Sequence, residues 1–191
     1  MTAGEATAGT VAHEPEGIAL IEDLVNSLEV ETGRDVLSGP EEAAAWLVER
    51  GLLPPGAPID DAGAAALREF REAVRSLALA NNGLSAGPDA ARTLEAASSR
   101  GQLRIRLGPN GRMSLVAEAA GVAGAIGRLA AVIHDASIDG SWRRFKACRD
   151  PTCHWAFYDT SRNRSGVWCD MAVCGNRTKV RAYRRRHADQ G

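Results

Sequence analysis

The sequence predicts a mainly α-helical protein with one β-hairpin, followed by a small four-cysteine zinc finger of the treble-clef or zinc-ribbon type. Three observations lead to this fold class. Apolar residues recur at helical spacing through most of the first 140 residues. An Asn-Gly turn signal separates two short β-prone runs. All four cysteines lie close together near the C-terminal end, between Cys148 and Cys174.

Helices and a hairpin can be placed in chain order. Helical periodicity and end signals predict five helices, over about residues 17–31, 41–50, 61–81, 88–99 and 118–136. Ser38 and Glu41 have the spacing of a capping box ahead of the second helix, and Asp60 or Asp61 can cap the third. The hairpin is expected around residues 108–111, and residues 137–140 are expected to link the last helix to the cysteine-rich part.

The chain divides into three predicted parts. Residues 1–16 are small and acidic and predict a flexible tail, residues 17–140 a helical domain, and residues 141–191 a zinc-binding module. The tail has neither the basic start nor the apolar stretch of a signal peptide. No run approaches the roughly 18 apolar residues that a membrane span needs. We therefore expect a cytoplasmic protein that does not enter a membrane.

The chain has a net charge of −1, but its basic and acidic residues are distributed unevenly along the sequence. Residues 141–191 contain 12 Lys and Arg against 4 Asp, a balance of +8, whereas residues 1–140 contain 11 basic and 20 acidic residues, a balance of −9. Four thiolates around Zn²⁺ would lower the first balance to about +6. A module this basic favours a polyanionic partner, and a merely solvated basic surface is the alternative.

The cysteines follow the pattern C-x4-C-x15-C-x4-C, formed by Cys148, Cys153, Cys169 and Cys174. Two pairs separated by a loop of this length predict one structural zinc ion, with no coordination position left for a catalytic water. Disulfides need an oxidising compartment, and redox cysteines are more usually spaced C-x-x-C, so both alternatives are disfavoured. His154 and His187 are the alternative ligands.

Basic residues after the fourth cysteine share one side of a possible helix. Taking about 100° per residue, Arg177, Arg181, Arg184 and Arg185 fall within about 100° of each other. On a neighbouring side lie Val180, Tyr183 and His187, which we expect to pack on the zinc core. The predicted DNA-binding residues are these four arginines with Lys179, and Arg162 and Arg164 on the loop between the cysteine pairs. Arg177 has a structural alternative, a bond to a thiolate or a carbonyl of the zinc site.

The aromatic residues of the module allow two interpretations. Trp155, Phe157, Tyr158 and Trp168 are interleaved with arginines and could stack on single-stranded bases. In so small a module aromatic residues more often form the core beside the metal, and we expect that arrangement here.

Cys174-Gly175-Asn176-Arg177 is the signature of the CGNR zinc-finger family, which residues 141–187 resemble along nearly their whole length. The upstream stretch DLVNSLEVETGRDVLSGPEEAAAWLVERGLL resembles the ABATE domain, a family of stress-induced transcription regulators. That family often has Asn-Thr where this chain has Asn26-Ser27. The two resemblances imply a bacterial DNA-binding regulator.

The helical domain has candidate ligand-pocket residues in Asn26, Arg34, Asp35 and Trp46. Core packing is the alternative for Trp46, and a cap or turn role for Asp35. A convergent nucleophile and base, a phosphate loop and a recognisable carboxylate pair are not found in the sequence, so we do not expect an enzyme. The expected function is DNA binding by the zinc module under the control of a helical domain that senses a small molecule or forms a homodimer. A protein- or RNA-binding adaptor is the alternative.

Overall fold

The computed structural model describes residues 14–109 and 111–188. Most of the predicted tail, residues 1–13, lies outside this range, as does Asn110 in the predicted turn. The six α-helices of the described residues are α1 Glu16–Asn26, α2 Pro40–Glu49, α3 Asp61–Asn81, α4 Ala90–Arg100, α5 Gly121–Asp139 and α6 Asn176–Ala188. The helices in these ranges include none that is long and apolar enough to cross a membrane.

Six short strands form three separate antiparallel pairs in the part of the chain that the structure describes. They are β1 Leu28–Glu29 with β2 Arg34–Asp35, β3 Leu103–Leu107 with β4 Met113–Ala117, and β5 Phe145–Ala147 with β6 Ala156–Tyr158. The second pair is the predicted hairpin, with Leu103 opposite Ala117 and Leu107 opposite Met113. Its prediction is confirmed, and the mainly helical fold class with it.

Helix α3 is central to the apolar core. Its residues Leu67, Phe70 and Val74 are buried and form one core with buried residues of α1 and α5, such as Leu24 and Leu129. This core continues into the cysteine-rich part, because buried residues of β5 and β6 belong to the same cluster. The two predicted domains therefore share packing, and the boundary at residue 140 stays a prediction.

The close approach of α4 and α5 depends on glycine. A Cβ atom at Gly101, directly after α4, would lie 2.7 Å from the Cα atom of Gly127 in α5. Such a distance is too short for any real side chain, so Gly101 and Gly127 let the two helices cross at backbone distance.

Helix α1 ends earlier than predicted, at Asn26 rather than near residue 31. The hydroxyl of Ser27 donates to the carbonyl of Leu24 at 2.7 Å, which uses an acceptor of the last helical turn. The following residues then pair as β1 with β2 instead of continuing the helix. Helical periodicity alone could not show this, because two-residue strands leave no periodic signal.

Two predicted helix ends also differ. The N-cap of α2 is Gly39, whose backbone is extended, and Pro40 takes the first helical position. Ser38 therefore lies one residue before the cap and does not form the predicted capping box. The predicted linker at residues 137–140 instead contains the last turn of α5, which ends at Asp139 and is capped by Gly140 with a left-handed φ of 81°. The cap of α3 is as predicted, since the carboxylate of Asp60 accepts from the N–H of Gly63 at 2.8 Å.

Candidate metal centre

Four cysteine sulfurs meet at one point in the C-terminal part. The Sγ atoms of Cys148, Cys153, Cys169 and Cys174 all lie within 4.8 Å of one another, and none forms a disulfide. The Sγ atoms of Cys153 and Cys169 are 3.6 Å apart, and those of Cys169 and Cys174 are 3.8 Å apart. A tetrahedron with Zn–S bonds of about 2.3 Å has edges of about 3.8 Å, so the spacing fits zinc.

The first cysteine pair lies in the turn between β5 and β6. The N–H of Cys148 donates to the carbonyl of Trp155 at 2.9 Å, and the N–H of Cys153 donates to the carbonyl of Asp150 at 2.9 Å. These bonds close the chain into a knuckle that points both thiols toward the same side. Short antiparallel strands thus bring two ligands together, as the x4 spacing requires.

The second pair precedes α6. The carboxylate of Asp170 accepts from the N–H groups of Ala172 and Val173, which begins a π-helical turn over Met171–Gly175. Cys174 lies in that turn, and its N–H donates to the carbonyl of Asp170 at 2.9 Å. Helix α6 follows without a break, so the fourth ligand fixes its first residue. The predicted helix after Cys174 is confirmed.

The protonation of the thiols supports a cation at this position. Burial, together with the neighbouring Cys153 and Cys148 sulfurs, raises the pKa of Cys174 to about 12. Burial and the same crowding raise the pKa of Cys169. Thiols this close together lose their protons together only when a cation compensates the thiolate charges, as a bound Zn²⁺ would. The donor set and its geometry therefore define one structural zinc site.

Neither alternative histidine belongs to this cluster of described residues. The carbonyl of His154 accepts a hydrogen bond from the guanidinium of Arg75 at 3.1 Å, and burial followed by the charge of Arg75 lowers the pKa of its imidazole. The ring of His187 stacks on Tyr183 with centroids 4.0 Å apart.

Asp150 connects the first knuckle to α6. Its side chain is completely buried and accepts hydrogen bonds from the N–H and hydroxyl of Thr152. The guanidinium of Arg181 donates to it at 2.8 Å, and that of Arg177 lies 3.2 Å away. Burial alone would raise the pKa of Asp150, but these hydrogen bonds and charges outweigh burial and lower it. Arg177 also pairs with Glu31 at 2.9 Å.

The remaining predicted DNA-binding residues are exposed, unlike Arg177 and Arg181, which bind Asp150. Three on α6 and two on the loop between the cysteine pairs are exposed, and their side chains have no hydrogen-bond or ion-pair partner among residues 14–109 and 111–188: Lys179, Arg184, Arg185, Arg162 and Arg164. Arg186 of α6 shares this environment. We call these six residues the free cations. Sequence reasoning missed Arg186, although the run of three arginines contained it.

Helix α6 is rotated relative to the prediction. Val180 and Tyr183, expected on the zinc core, are 48% and 56% exposed. The reason is that the side carrying Arg177 and Arg181 lies on the first knuckle, where buried Asp150 attracts it. The sequence showed the arginines but not that a buried carboxylate would bind two of them.

The aromatic residues contribute less to the core than expected. Trp155 is 37% exposed, and Phe157, Tyr158 and Trp168 are half-buried. The fully buried aromatic side chain of the finger is Phe145 of β5, which sequence reasoning did not single out.

A buried ion pair organises the loop between the two cysteine pairs. The ammonium of Lys146 donates to the carboxylate of Asp159 at 2.7 Å and to the carbonyls of Arg164 and Gly166 at 2.6 and 2.9 Å. Burial would raise the pKa of Asp159, but the bonds from Lys146 and Ser161 lower it. This pair determines where the loop arginines lie, and no sequence signal indicated it.

The four predicted ligand-pocket residues have different surroundings. The amide of Asn26 bonds the N–H and carbonyl of Ala156, which joins α1 to β6. The carboxylate of Asp35 binds Arg71 at 2.6 and 2.9 Å. Arg34 is exposed beside Glu29, and Trp46 is core, 3% exposed. The polar groups of Asn26 and Asp35 thus already have partners within the protein, and a ligand pocket at these four residues stays a prediction.

Comparison with known families agrees with this geometry. Residues 144–187 match the family described as "CGNR zinc finger". Residues 19–138 match the family described as "ABATE: Putative stress-induced transcription regulator". A search among curated proteins found no match. The chain belongs to the ABATE family and carries a CGNR zinc finger, whose four cysteines form its zinc site.

Proposed function

We propose that this protein is a transcription regulator that binds duplex DNA through the free cations of its zinc finger. Neither matching family is described as an enzyme. In this proposal the finger provides the DNA contact. The helical region senses a small molecule or mediates homodimerisation.

The observation that carries the proposal is how the charges of the finger are distributed. Asp150 and Asp159 are buried and bind Arg177, Arg181 and Lys146 inside the module. The six free cations remain on the outside, and no carboxylate of the described residues pairs with them. Unpaired Lys and Arg side chains bind phosphates and release counterions, which is the main source of affinity for DNA.

The zinc site gives these cations a rigid support. Helix α6 begins two residues after the fourth ligand and is tied to the first knuckle through Asp150. A helix held at its first turn loses little conformational entropy when its outer residues contact a duplex. Arg177 and Arg181 therefore position the helix. The proposed DNA contacts are the six free cations, namely Lys179, Arg184, Arg185 and Arg186 on α6 with Arg162 and Arg164 on the loop.

The test uses the zinc-loaded full chain and fluorescence anisotropy with duplex DNA at several salt concentrations. We expect the double substitution Arg184→Gln/Arg185→Gln to weaken binding on every sequence. The slope of log K against log salt should fall by about 0.9 for each phosphate that the variant no longer neutralises. Arg106→Gln, on the exposed hairpin strand β3, is the matched control and should bind like the parent. Equal binding by the double variant and the control would refute the proposal.

A second candidate function is suggested by apolar side chains on the same module. Met171, Val173, Val180 and Tyr183 are 55%, 53%, 48% and 56% exposed. Exposed apolar groups beside cations also suit a protein or RNA partner. Competition of single-stranded RNA against duplex DNA decides between the two functions, since a preference for RNA would favour the adaptor.

A further inference from the structure

A cavity of about 400 Å³ opens between α3, α4 and α5. It lies apart from the zinc site, and none of the four residues predicted as a ligand pocket lines it. Phe70 of α3 and Ile126 of α5 are almost completely buried and form its apolar floor. Its size is that of a site for a small molecule.

The cavity exists because α4 presents small side chains to its neighbours. Thr93, Ala96 and Ala97 line the space from α4, and Gly63 and Ala66 line it from α3. Protein interiors are normally packed without voids larger than a water molecule. Three helices that pack on each other and still leave this volume therefore border a preformed space that is half open to solvent.

The two ends of the cavity differ in charge. Asp89, directly before α4, and Glu69 of α3 line one end, where Asp89 pairs with Arg92. Arg100, the last residue of α4, lines the other end, about 16 Å away along the helix axis. The guanidinium of Arg100 has no hydrogen-bond or ion-pair partner within the described part of the chain.

The Arg100 end is also favourable for an anion for a second reason. Val122 and Ala123 line the cavity and lie in the first turn of α5, whose N-cap Ala120 provides no side-chain hydrogen bond. The first N–H groups of a 19-residue helix carry partial positive charge, which adds to that of Arg100.

We propose that this cavity binds a small molecule with an apolar body and a single carboxylate. The body packs on Phe70 and Ile126, and the carboxylate binds Arg100. A second carboxylate would have to lie over the apolar floor or toward Glu69, so a dicarboxylate of the same chain length should bind more weakly than a monocarboxylate. This molecule would be the effector of the proposed regulator. Binding of the molecule does not depend on the proposed function, whereas any effect of it on DNA affinity rests on that function.

The first experiment is calorimetric titration of the zinc-loaded full chain with four probes of the same chain length: octanoate, octylamine, 1-octanol and octanedioate. We expect octanoate to bind most tightly, because only it satisfies both the apolar floor and Arg100. Equal affinity for all four probes, or no binding of octanoate at millimolar concentration, would overturn the proposal.

The second experiment locates the site with variants. Arg100→Gln should weaken octanoate binding about two- to fivefold, because Arg100 is exposed and an exposed ion pair is weak, and it should leave 1-octanol binding unchanged. Ala96→Leu should fill the cavity and weaken both probes, whereas the control Arg106→Gln should change neither. Octanoate binding that is unaffected by Arg100→Gln would refute the assignment. The probe series on the parent protein decides the question if Ala96→Leu does not fold.

DNA affinity is measured separately, without a probe. Octanoate binding together with absent DNA affinity would support this cavity and contradict the proposed function. DNA affinity together with absent octanoate binding would support the proposed function and contradict the assignment of this cavity.

Discussion

The helical region and the zinc finger are stabilised in different ways. The helical region buries large aliphatic side chains such as Leu24, Leu67 and Leu129, none of which is accessible to solvent. The finger buries Phe145 and two alanines together with Lys146, Asp150 and Asp159, so charged residues form a larger share of its interior than of the helical region, where Arg71 and Arg75 are buried. A module of about fifty residues cannot bury enough apolar surface to fold alone, so metal ligation and internal ion pairs supply the rest.

Because of this difference, the two regions should respond differently to the removal of a single side chain. Apolar burial is distributed over many residues, and removing one of them leaves the others in place. Zinc ligation and buried ion pairs depend on single atoms, and removing one atom leaves a charge or a thiolate uncompensated. We expect the contrast to show in four measurements, in order of decreasing effect.

Removal of zinc should have the largest effect. Structural zinc contributes about 10–16 kcal/mol to the folding of isolated fingers. We expect Cys174→Ser, or chelation, to abolish amide-exchange protection over residues 145–188. Helix α5 should keep its protection, since its partners in the core include α1 and α3. Hydrogen exchange with mass spectrometry measures both regions at once, and uniform loss of protection throughout the chain would contradict the contrast.

Substitution of Lys146 should have the next largest effect. Lys146→Met leaves the carboxylate of Asp159 buried without its cation, which costs about 3–5 kcal/mol of the free energy of unfolding. Urea denaturation measures this. Arg34→Gln breaks the exposed pair with Glu29 and is the control, expected to cost less than about 1 kcal/mol. Similar losses for the two variants would show that burial of the pair does not matter.

A deletion in the apolar core should cost somewhat less. Leu129→Ala removes a fully buried side chain of α5 and should lower the free energy of unfolding by about 2–5 kcal/mol. The zinc site should still form, because its four ligands lie in the β5–β6 turn and before α6 rather than on α5. Spectroscopic titration with Co²⁺ in place of zinc reports on the site, and disappearance of the thiolate-to-cobalt absorption would contradict this expectation.

The pH dependence of stability should show the smallest effect. Burial alone would raise the pKa of Asp35, but hydrogen bonds from Arg71 and from the N–H of Leu37 lower it. A carboxyl group whose pKa is lower in the folded state stabilises fully above its unfolded pKa of about 3.9, and this stabilisation is lost as the pH falls through the folded pKa. Asp35→Asn should cost about 2 kcal/mol at neutral pH. Its thermal stability should fall less steeply than that of the parent below about pH 4, and parallel curves would refute the assignment.

The zinc ligands were predictable because their chemistry depends on residue type and spacing, and both are visible in the sequence. The long helices were predictable for the same reason, since an apolar face leaves a periodic signal. The rotation of α6 was not, because it depends on Asp150, which lies 27 residues before Arg177 and becomes buried only in the folded chain. The cavity beside α4 could not be predicted from the sequence either, because small residues at helical spacing normally indicate close packing.

The side chain of Arg75 imposes a condition on the length of α3. Its guanidinium donates to the carbonyls of Val25 and His154, and Phe70 of the same helix forms the floor of the cavity. Inserting one residue between Phe70 and Arg75 would turn Arg75 by about 100° and move it about 1.5 Å along the axis. Both carbonyls would then lack their donor. The contacts of Arg75 with α1 and with the first knuckle therefore fix the number of residues between these two positions of α3.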